Sequence, residues 1–375
     1  MKILERGKNL QLSSTAPLEH PFGQPIYPVL LRWFSKKGRK NLPWQLNKTP
    51  YRVWISEIML QQTQVRTVHD YFLRFIARFP TVQCLANAHE DEVLHVWTGL
   101  GYYRRARLLH KTAQLIATEF KGEFPADVDI LTTLPGIGRT TAGAICSLAF
   151  DQPGVILDGN VKRVLARYYA LQNPTIEKIA QKQLWQWAAY NQPKKKNFAD
   201  YTQALMDLGA LVCLPKNPKC LICPLVQRCQ AHHQNLTHLL PVKKPSAKLP
   251  TKSATFLVFC HGSTVVLQKR ESQGIWGGLW SLPEVEGLPS EPKFTRFSQT
   301  TFNVKIKNYE KLPLIRHTFT HFHLEMHLLI INLTKKKCLP ADAIWFDLKQ
   351  PQKLGIPKPI LTLLKGLAEN YQVSI

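Results

Sequence analysis

Four cysteines fall within a seventeen-residue segment and limit how that part of the chain can fold. They are Cys213, Cys220, Cys223 and Cys229, with the spacing C-x6-C-x2-C-x5-C and with prolines and lysines between them. Four thiols this close together indicate a tetrahedral sulfur site, which takes zinc or an iron–sulfur cluster. Ligand type alone leaves both metals open. Four unligated buried cysteines are the weaker alternative.

No disulfide framework is expected, because the chain has the features of a cytoplasmic protein. Residues 1–23 carry charges but neither the apolar segment nor the cleavage pattern of a secretion signal. No stretch approaches the roughly 20 apolar residues that a membrane span needs. Thiols stay reduced in the cytosol. The other cysteines stand in apolar contexts and are interpreted as small core residues: Cys84, Cys146, Cys260 and Cys338.

The charge balance favours a polyanionic partner. The 375 residues include 49 Lys and Arg against 25 Asp and Glu, a formal net charge of +24. Since hydrophobic residues make up 45% of the chain, this charge belongs to folded domains and not to a disordered tail. Without a membrane segment, nucleic acid is the expected partner. The length favours two domains of about 100–250 residues each.

The spacing of apolar residues divides the chain into a helical part and a mixed part. Residues 25–235 predict an all-α domain, in which Thr49 caps a helix that begins at Pro50. Residues 236–253 interleave proline and lysine and predict a basic linker. Residues 254–375 predict an α+β domain, with strands at 254–260, 264–269, 302–309 and 320–333 and a closing helix at 359–368. Residues 1–24 form an N-terminal extension.

A glycine hairpin at residues 134–141, LPGIGRTT, leads directly into a predicted helix. Gly136 and Gly138 allow a tight turn and a close approach of another backbone. The free N–H groups at the helix start near Thr140 are therefore expected to bind a DNA phosphate. Some twenty residues later, Asp158 stands before another helix start, close to Asn160. On these residues alone, a plain turn and a plain helix N-cap at Asp158 stay open.

The cysteine spacing and the hairpin resemble the endonuclease III superfamily of helix-hairpin-helix DNA glycosylases. In that superfamily the cysteines hold a [4Fe-4S] cluster and one aspartate after the hairpin is essential, a position that Asp158 matches. Residues 56–65 (SEIMLQQTQV) and 99–103 (GLGYY) are similar to its adenine DNA glycosylase (MutY) family. The similarity extends over residues 28–365 and implies a cluster loop at 213–229 with a structural role.

The resemblance implies two carboxyl groups with different tasks. Glu57 lies among apolar neighbours, so burial would keep it protonated and able to donate a proton to N7 of adenine. Asp158, at a helix start beside Asn160, would stay ionised and stabilise the oxocarbenium ion of the deoxyribose. Without the resemblance, an exposed helical carboxylate paired with Arg52 is the alternative for Glu57.

The resemblance also implies how the DNA is handled. Related lyases have a lysine where this chain has Thr140, and since a hydroxyl cannot form an imine, base removal without strand cleavage is expected. Gln62 and Tyr102 match the residues that wedge into the DNA when the base is flipped. The residues that line the family's adenine pocket have counterparts here in Trp44, Leu60 and Val65. Ordinary packing is the alternative for both sets.

The C-terminal domain contains a segment, GIWGGLWSLP at residues 274–283, that resembles the start of a Nudix fold. Residues 284–287 do not continue into the acidic helix that holds magnesium, so nucleotide hydrolysis is not expected. Phe319, Thr320 and His321 instead match a Phe-Ser-His triplet that recognises 8-oxoguanine in the family, with threonine replacing serine. A strand over 320–324 would place His321 and His323 on one face, which makes a metal site the weaker alternative.

The expected function is therefore base excision repair, in which a monomer binds duplex DNA and removes adenine mispaired with 8-oxoguanine or guanine. One alternative is an endonuclease III-like glycosylase and lyase for damaged pyrimidines, which leaves Glu57, Thr140 and the second domain unexplained. The other is a non-catalytic iron–sulfur protein that binds DNA. It predicts that Glu57→Gln and Asp158→Asn have no effect.

Overall fold

A computed structural model of the chain describes residues 23–242 and 248–372. Most of the predicted N-terminal extension and the centre of the predicted linker lie outside these residues. Within them, a helical domain is followed by a mixed α/β domain, which confirms the predicted fold class. None of the helices in the described ranges combines the length and the apolar composition needed to cross a membrane.

The first domain is built of helices and short helical turns. The α-helices are α1 (Tyr27–Lys37), α2 (Pro50–Leu60), α3 (Val65–Arg78), α4 (Val82–Ala86), α5 (Glu90–Trp97), α6 (Arg104–Glu119), α7 (Val128–Thr133), α8 (Arg139–Phe150), α9 (Gly159–Tyr168), α10 (Lys178–Tyr190), α11 (Phe198–Asp207) and α12 (Gln230–His233). A π-helix (Leu208–Val212) continues α11, and two 3-10 turns (Cys220–Ile222 and Val226–Arg228) lie in the cysteine segment.

Helix α2 is the central element of this domain. Thr49 accepts the backbone N–H of Arg52 and Pro50 occupies the first turn, which confirms the predicted cap. Trp54, Ile55 and Met59 are fully buried, and α2 packs against α3, α6 and α8. Helix α3 was not predicted. It buries only a narrow stripe of apolar side chains (Val68, Phe72 and Phe75), and its other positions include three arginines.

The second domain is one mixed sheet with two helices. Its strands are β1 (Thr251–His261), β2 (Thr264–Lys269), β3 (Trp280–Ser281), β4 (Glu284–Glu286), β5 (Glu310–Lys311), β6 (Ile315–Thr318), β7 (His323–Asn332) and β8 (Ala343–Asp347), and its helices are α13 (Glu291–Phe302) and α14 (Lys358–Gln372). The main path is β3-β2-β1-β7-β5, with β4 on β1, β6 on β7 and β8 on β2. Strands β1 and β7 are parallel, with Thr251 opposite His323 and Cys260 opposite Asn332.

One predicted strand is wrong and another is wrong in part. The strand expected at 302–309 is absent from the described structure: α13 ends at Phe302, Asn303 adopts a left-handed conformation, and pairing begins only at Glu310. The strand expected at 320–333 begins at His323, because the N–H of Phe319 bonds to the carbonyl of Phe322 (2.9 Å) and closes a turn. At the other end of the domain, β1 begins at Thr251, inside the predicted linker.

The two domains contact each other directly. Lys269 at the end of β2 lies 3.2 Å from the carboxylate of Asp91 on α5. Arg107 on α6 donates to the carbonyl of Ser272 at 2.6 Å. Leu94 and Leu279 belong to one hydrophobic core that includes residues of both domains. The helical domain and the sheet domain are therefore packed side by side along α5 and α6.

Candidate active site

Glu57 lies in the second half of α2, between the buried Ser56 and Ile58. Its own side chain is half-buried. Burial, and after it the charge of Asp158, raises the pKa of the Glu57 carboxyl to about 8. Arg52 does not neutralise it, because the guanidinium donates instead to the carbonyl of Pro43 at 2.9 Å. Glu57 therefore holds a proton at neutral pH.

Asp158 is the N-cap of α9, and its Oδ1 accepts the N–H of Val161 at 2.8 Å. The N–H of Asn160 also bonds to this carboxylate. Burial raises the pKa of Asp158 above its ordinary value, while these N–H groups and the charge of Arg163 oppose that rise. An upward shift was not expected from the sequence. These N–H groups favour the ionised form of Asp158, whereas burial and the charge of Asp158 favour the protonated form of Glu57.

The segment before Asp158 packs unusually close to α8. A Cβ built on Gly143 would stand 2.2 Å from the carbonyl oxygen of Val155, and one on Gly154 would stand 2.1 Å from the carbonyl oxygen of Gly143. Only glycine at both positions allows this approach. The hydroxyl of Thr140 accepts the N–H of Leu157 at 3.4 Å, one residue before Asp158. This contact between α8 and residues 154–157 fixes the position of the Asp158 backbone.

The glycine hairpin has the form that the sequence predicts. Gly136 has φ +79 and lies against Leu108 of α6, where a side chain would clash at 2.9 Å. Gly138 is the N-cap of α8, and an added Cβ would meet no atom within 4 Å. The start of α8 is thus open to an approaching anion.

Gln62 and Tyr102 share an uncommon backbone conformation. Both have positive φ, 56 for Gln62 and 50 for Tyr102, although neither is glycine. Both side chains are exposed, with 42% of Tyr102 accessible. Such strained, exposed positions are frequent where a protein contacts a ligand.

The three residues matched to an adenine pocket differ in their surroundings. Trp44 is buried and packs edge-on against Phe72, with ring centroids 5.6 Å apart. Leu60 ends α2 and Val65 begins α3, and both are half-buried on either side of Gln62. The structure brings Leu60 and Val65 to the same bend and leaves Trp44 in the core.

The four clustered cysteines line one cavity, which Arg167 and Leu225 also border. Burial, with smaller contributions from the other three thiols, raises the pKa of Cys223 to about 12. Within residues 23–242 and 248–372, no three His, Cys, Asp or Glu side chains are arranged so as to hold a metal ion. Of the remaining cysteines, Cys146 and Cys260 are buried as expected, whereas Cys84 and Cys338 are exposed, so their assignment to the core is wrong.

Arg163 connects Asp158 with the cysteine segment, and sequence reasoning missed it. Its guanidinium donates to Oδ1 of Asn160 (2.9 Å) and to the carbonyls of Gly209 (2.7 Å) and Cys213 (2.8 Å). It is a buried arginine one turn into α9. Its burial is explained by the carbonyls of Gly209 and Cys213, which lie 46 and 50 residues further along the chain. The sequence does contain one indication of this role, because Arg163 is a cation beside apolar residues soon after Asp158.

Phe319, Thr320 and His321 form the tip between β6 and β7. Thr320 and His321 are exposed, and the Thr320 Oγ1 lies 3.4 Å from Nδ1 of His321. The ring of Phe319 stacks on Phe322, with centroids 4.7 Å apart. His321 stands in a turn and not on a strand, which removes the predicted alignment with His323. The tip therefore presents a hydroxyl and an imidazole on an aromatic support.

Comparison with known proteins agrees with this architecture. Residues 55–189 match the HhH-GPD superfamily of base excision DNA repair proteins, and residues 254–366 match the NUDIX domain. The chain is 39% identical over 340 residues to an adenine DNA glycosylase of Buchnera aphidicola from Schizaphis graminum, covering 90% of this chain and 97% of the relative. It is 31% identical over 405 residues to the human adenine DNA glycosylase, covering 92% and 73%.

A solved structure of a thermostable thymine-DNA glycosylase is 26% identical, with a TM-score of 0.50, and covers 56% of this chain and 95% of its own.

The lyase alternative and the non-catalytic alternative are both disfavoured, since the relatives named adenine DNA glycosylase match across both domains. The chain belongs to the adenine DNA glycosylase family, whose members remove adenine from DNA in base excision repair.

Proposed function

We propose that the enzyme removes adenine mispaired with 8-oxoguanine or guanine, with Glu57 as the general acid and Asp158 as the anion that stabilises the sugar cation. One observation carries this assignment: burial and then the charge of the nearby Asp158 raise the pKa of Glu57 to about 8. A carboxyl that is protonated at neutral pH beside one that ionises more readily is the arrangement that glycoside chemistry requires.

The proposed reaction breaks the bond between C1′ of deoxyribose and N9 of adenine. Glu57 donates its proton to N7, so that neutral adenine leaves with the electron pair of the broken bond. Asp158 faces the positive charge left on the sugar, and the N–H groups of Val161 and Asn160 hold its carboxylate in place. A water then adds to C1′ and gives up one proton, which returns to the Glu57 carboxylate and restores the acid. The products are free adenine and an abasic sugar.

The proposal includes base removal without strand cleavage. A lyase would need an amine near C1′, and this chain has Thr140 at the matching position. The Thr140 hydroxyl bonds to the backbone directly before Asp158, which supports a position beside the sugar. Treatment of the reaction with borohydride should therefore trap no covalent adduct.

The proposed DNA contacts follow from shape and charge. The open N-terminus of α8, with Gly136 and Gly138 before it, suits a phosphate. Gln62 and Tyr102 would enter the helix beside the flipped adenine, and their exposure supports this role. Leu60 and Val65 would contact the flipped base. The buried position of Trp44 gives less support to its place in the pocket.

The cysteine cavity fits an iron–sulfur cluster in its donor set. Cys213, Cys220, Cys223 and Cys229 supply four thiolates, the ligands that a [4Fe-4S] cluster takes. When bound, the cluster would tie the segment 213–229 into a fixed loop. The loop exposes Lys216 and Lys219, which are suited to DNA phosphates.

The Phe319–Thr320–His321 tip is proposed to recognise the base opposite adenine. To test this, single-turnover rates of adenine release would be measured on A:8-oxoguanine and A:G duplexes. Thr320→Ala and His321→Ala should lower the preference for 8-oxoguanine about tenfold, the usual effect of losing one or two specific hydrogen bonds. Thr300→Ala, an exposed threonine on α13, is the control. Equal losses on both duplexes would refute the assignment.

A further inference from the structure

Arg105, the second residue of α6, joins two segments that are far apart in sequence. Its Nη1 donates to the carbonyls of Ile58 (2.7 Å), Met59 (3.0 Å) and Gln61 (2.6 Å) at the end of α2. Its Nη2 donates to the carbonyl of Gly101 at 3.2 Å, in the loop before α6. The guanidinium is half-buried, so these carbonyls replace the water that would otherwise solvate it.

The acceptors of Arg105 stand directly beside the two strained residues. The carbonyl of Gln61 precedes Gln62, and the carbonyl of Gly101 precedes Tyr102. Both following residues have positive φ, a conformation that a side-chain-bearing residue keeps only when its neighbours hold it. One guanidinium therefore holds the peptide group that comes before each of these conformations.

The Tyr102 ring is also held by Arg105. The guanidinium carbon lies 5.3 Å from the centroid of the Tyr102 ring and 5.4 Å from that of Trp97. The indole N–H of Trp97 donates to the same Gly101 carbonyl at 3.1 Å. The ring thus rests on a cation that is itself fixed, and 42% of the Tyr102 residue remains exposed to a ligand.

We propose that Arg105 is a positioning residue for base flipping, which sets Gln62 and Tyr102 at a fixed separation before DNA binds. The inference rests on the proposed role of these two residues as wedges. A planar guanidinium can reach carbonyls on both segments at once, whereas a lysine ammonium has one nitrogen and cannot span them. The residue would act on the step that unstacks adenine and not on the chemistry at C1′.

The test compares two DNA substrates with the full-length protein. In the first, adenine is mispaired with 8-oxoguanine. In the second, the same adenine is a bulge with no opposing nucleotide, so little flipping is needed. Arg105→Met and Arg105→Lys are measured beside Lys111→Met, which removes an exposed cation from the same helix. The readouts are the single-turnover rate of adenine release and the emission of 2-aminopurine at the target position, which rises on unstacking.

We expect Arg105→Met to release adenine about 100-fold more slowly from the mispair, as for a misplaced positioning group. On the bulge the loss should be less than about tenfold, and the rise of 2-aminopurine emission should be slowed. Arg105→Lys, which keeps the charge and should melt close to the wild-type temperature, should share most of this defect. Lys111→Met should behave as wild type.

Equal losses on both substrates, or a wild-type rate for Arg105→Lys, would overturn the inference. Gln62→Ala and Tyr102→Ala, measured alongside, separate it from the proposed function. If these variants lose the emission change and the Arg105 variants keep it, the inference fails while the wedge assignment stands. If the alanine variants keep it, the wedge assignment fails and the inference with it.

Discussion

After burial, it is the charge of Asp158 at the start of α9 that raises the pKa of Glu57 on α2, although the two residues are 101 positions apart in sequence. Burial also raises the pKa of Asp158, but backbone N–H groups and Arg163 oppose that rise. The N–H groups and Arg163 thus favour the ionised form of Asp158, whereas a pKa of about 8 keeps Glu57 protonated at neutral pH. This division is what an acid-assisted departure of adenine needs.

Removing either member of the pair should abolish most activity without weakening DNA binding. Glu57→Gln keeps the shape of the side chain but donates no acidic proton, so adenine release should slow about 100- to 10,000-fold. Asp158→Asn should lose about as much, because the sugar cation then faces a neutral amide. Glu119→Gln, an exposed change on α6, is the matched control. Unchanged rates in both variants would support a non-catalytic protein.

Stability should depend on pH through the same residue. The pKa of Glu57 is raised from 4.5 to about 8, so the folded chain binds this proton more tightly than the unfolded chain. The unfolding free energy thus falls as pH rises between these values, by at most about 1.4 kcal/mol per pH unit from Glu57. Glu57→Gln removes this loss and should gain stability relative to wild type from pH ~5 to ~8. Urea unfolding of both proteins across this range checks it; a constant difference would contradict it.

The close contact before Asp158 makes Gly143 sensitive to the smallest substitution. Gly143→Ala would place a methyl group 2.2 Å from a backbone oxygen of Val155, and neither group can move freely. We expect a loss of at least about 1–3 kcal/mol in unfolding free energy and a lower rate, because Asp158 is displaced. Gly366→Ala, in open space on α14, should instead gain about 0.5–1 kcal/mol. Similar stabilities for the two variants would be evidence against this packing.

The cysteine cavity predicts a specific metal content. Purified protein should contain about four iron atoms per chain and absorb broadly in the visible range. Cys220→Ser should lower the iron content and the melting temperature, whereas Cys338→Ser, at an exposed thiol, should change neither. Elemental analysis of the purified protein and of both variants measures the iron and zinc content. A colourless protein that contains one zinc ion would refute the cluster.

What could be predicted from the sequence was mostly local. Thr49 and Pro50 specify the start of α2 through a cap that spans a few residues, and the glycine hairpin specifies its own turn. The strand predicted at 302–309 failed because α13 extends to Phe302 and Asn303 then turns the chain, which alternating apolar residues do not reveal.

The residues of the site that the sequence did not predict depend on partners distant in sequence. Arg105 and Arg163 are two among 49 cations in the sequence, and each acquires its role only when folding brings carbonyls from other segments around it. The contact between Gly143 and Val155 is equally invisible before the helices pack. Periodicity and spacing cannot give such contacts, since they require the three-dimensional path of the chain.

The most direct test of the account is the pH dependence of single-turnover adenine release from an A:8-oxoguanine duplex. With Glu57 as the acid, the rate should be high at neutral pH and fall as pH rises through about 8, the pKa of its carboxyl. The fall reflects loss of the donated proton, so Glu57→Gln should be slow at every pH and show no such decline. A wild-type rate that stays constant well above pH 8, or a Glu57→Gln rate close to wild type, would contradict the assignment of Glu57 as the general acid.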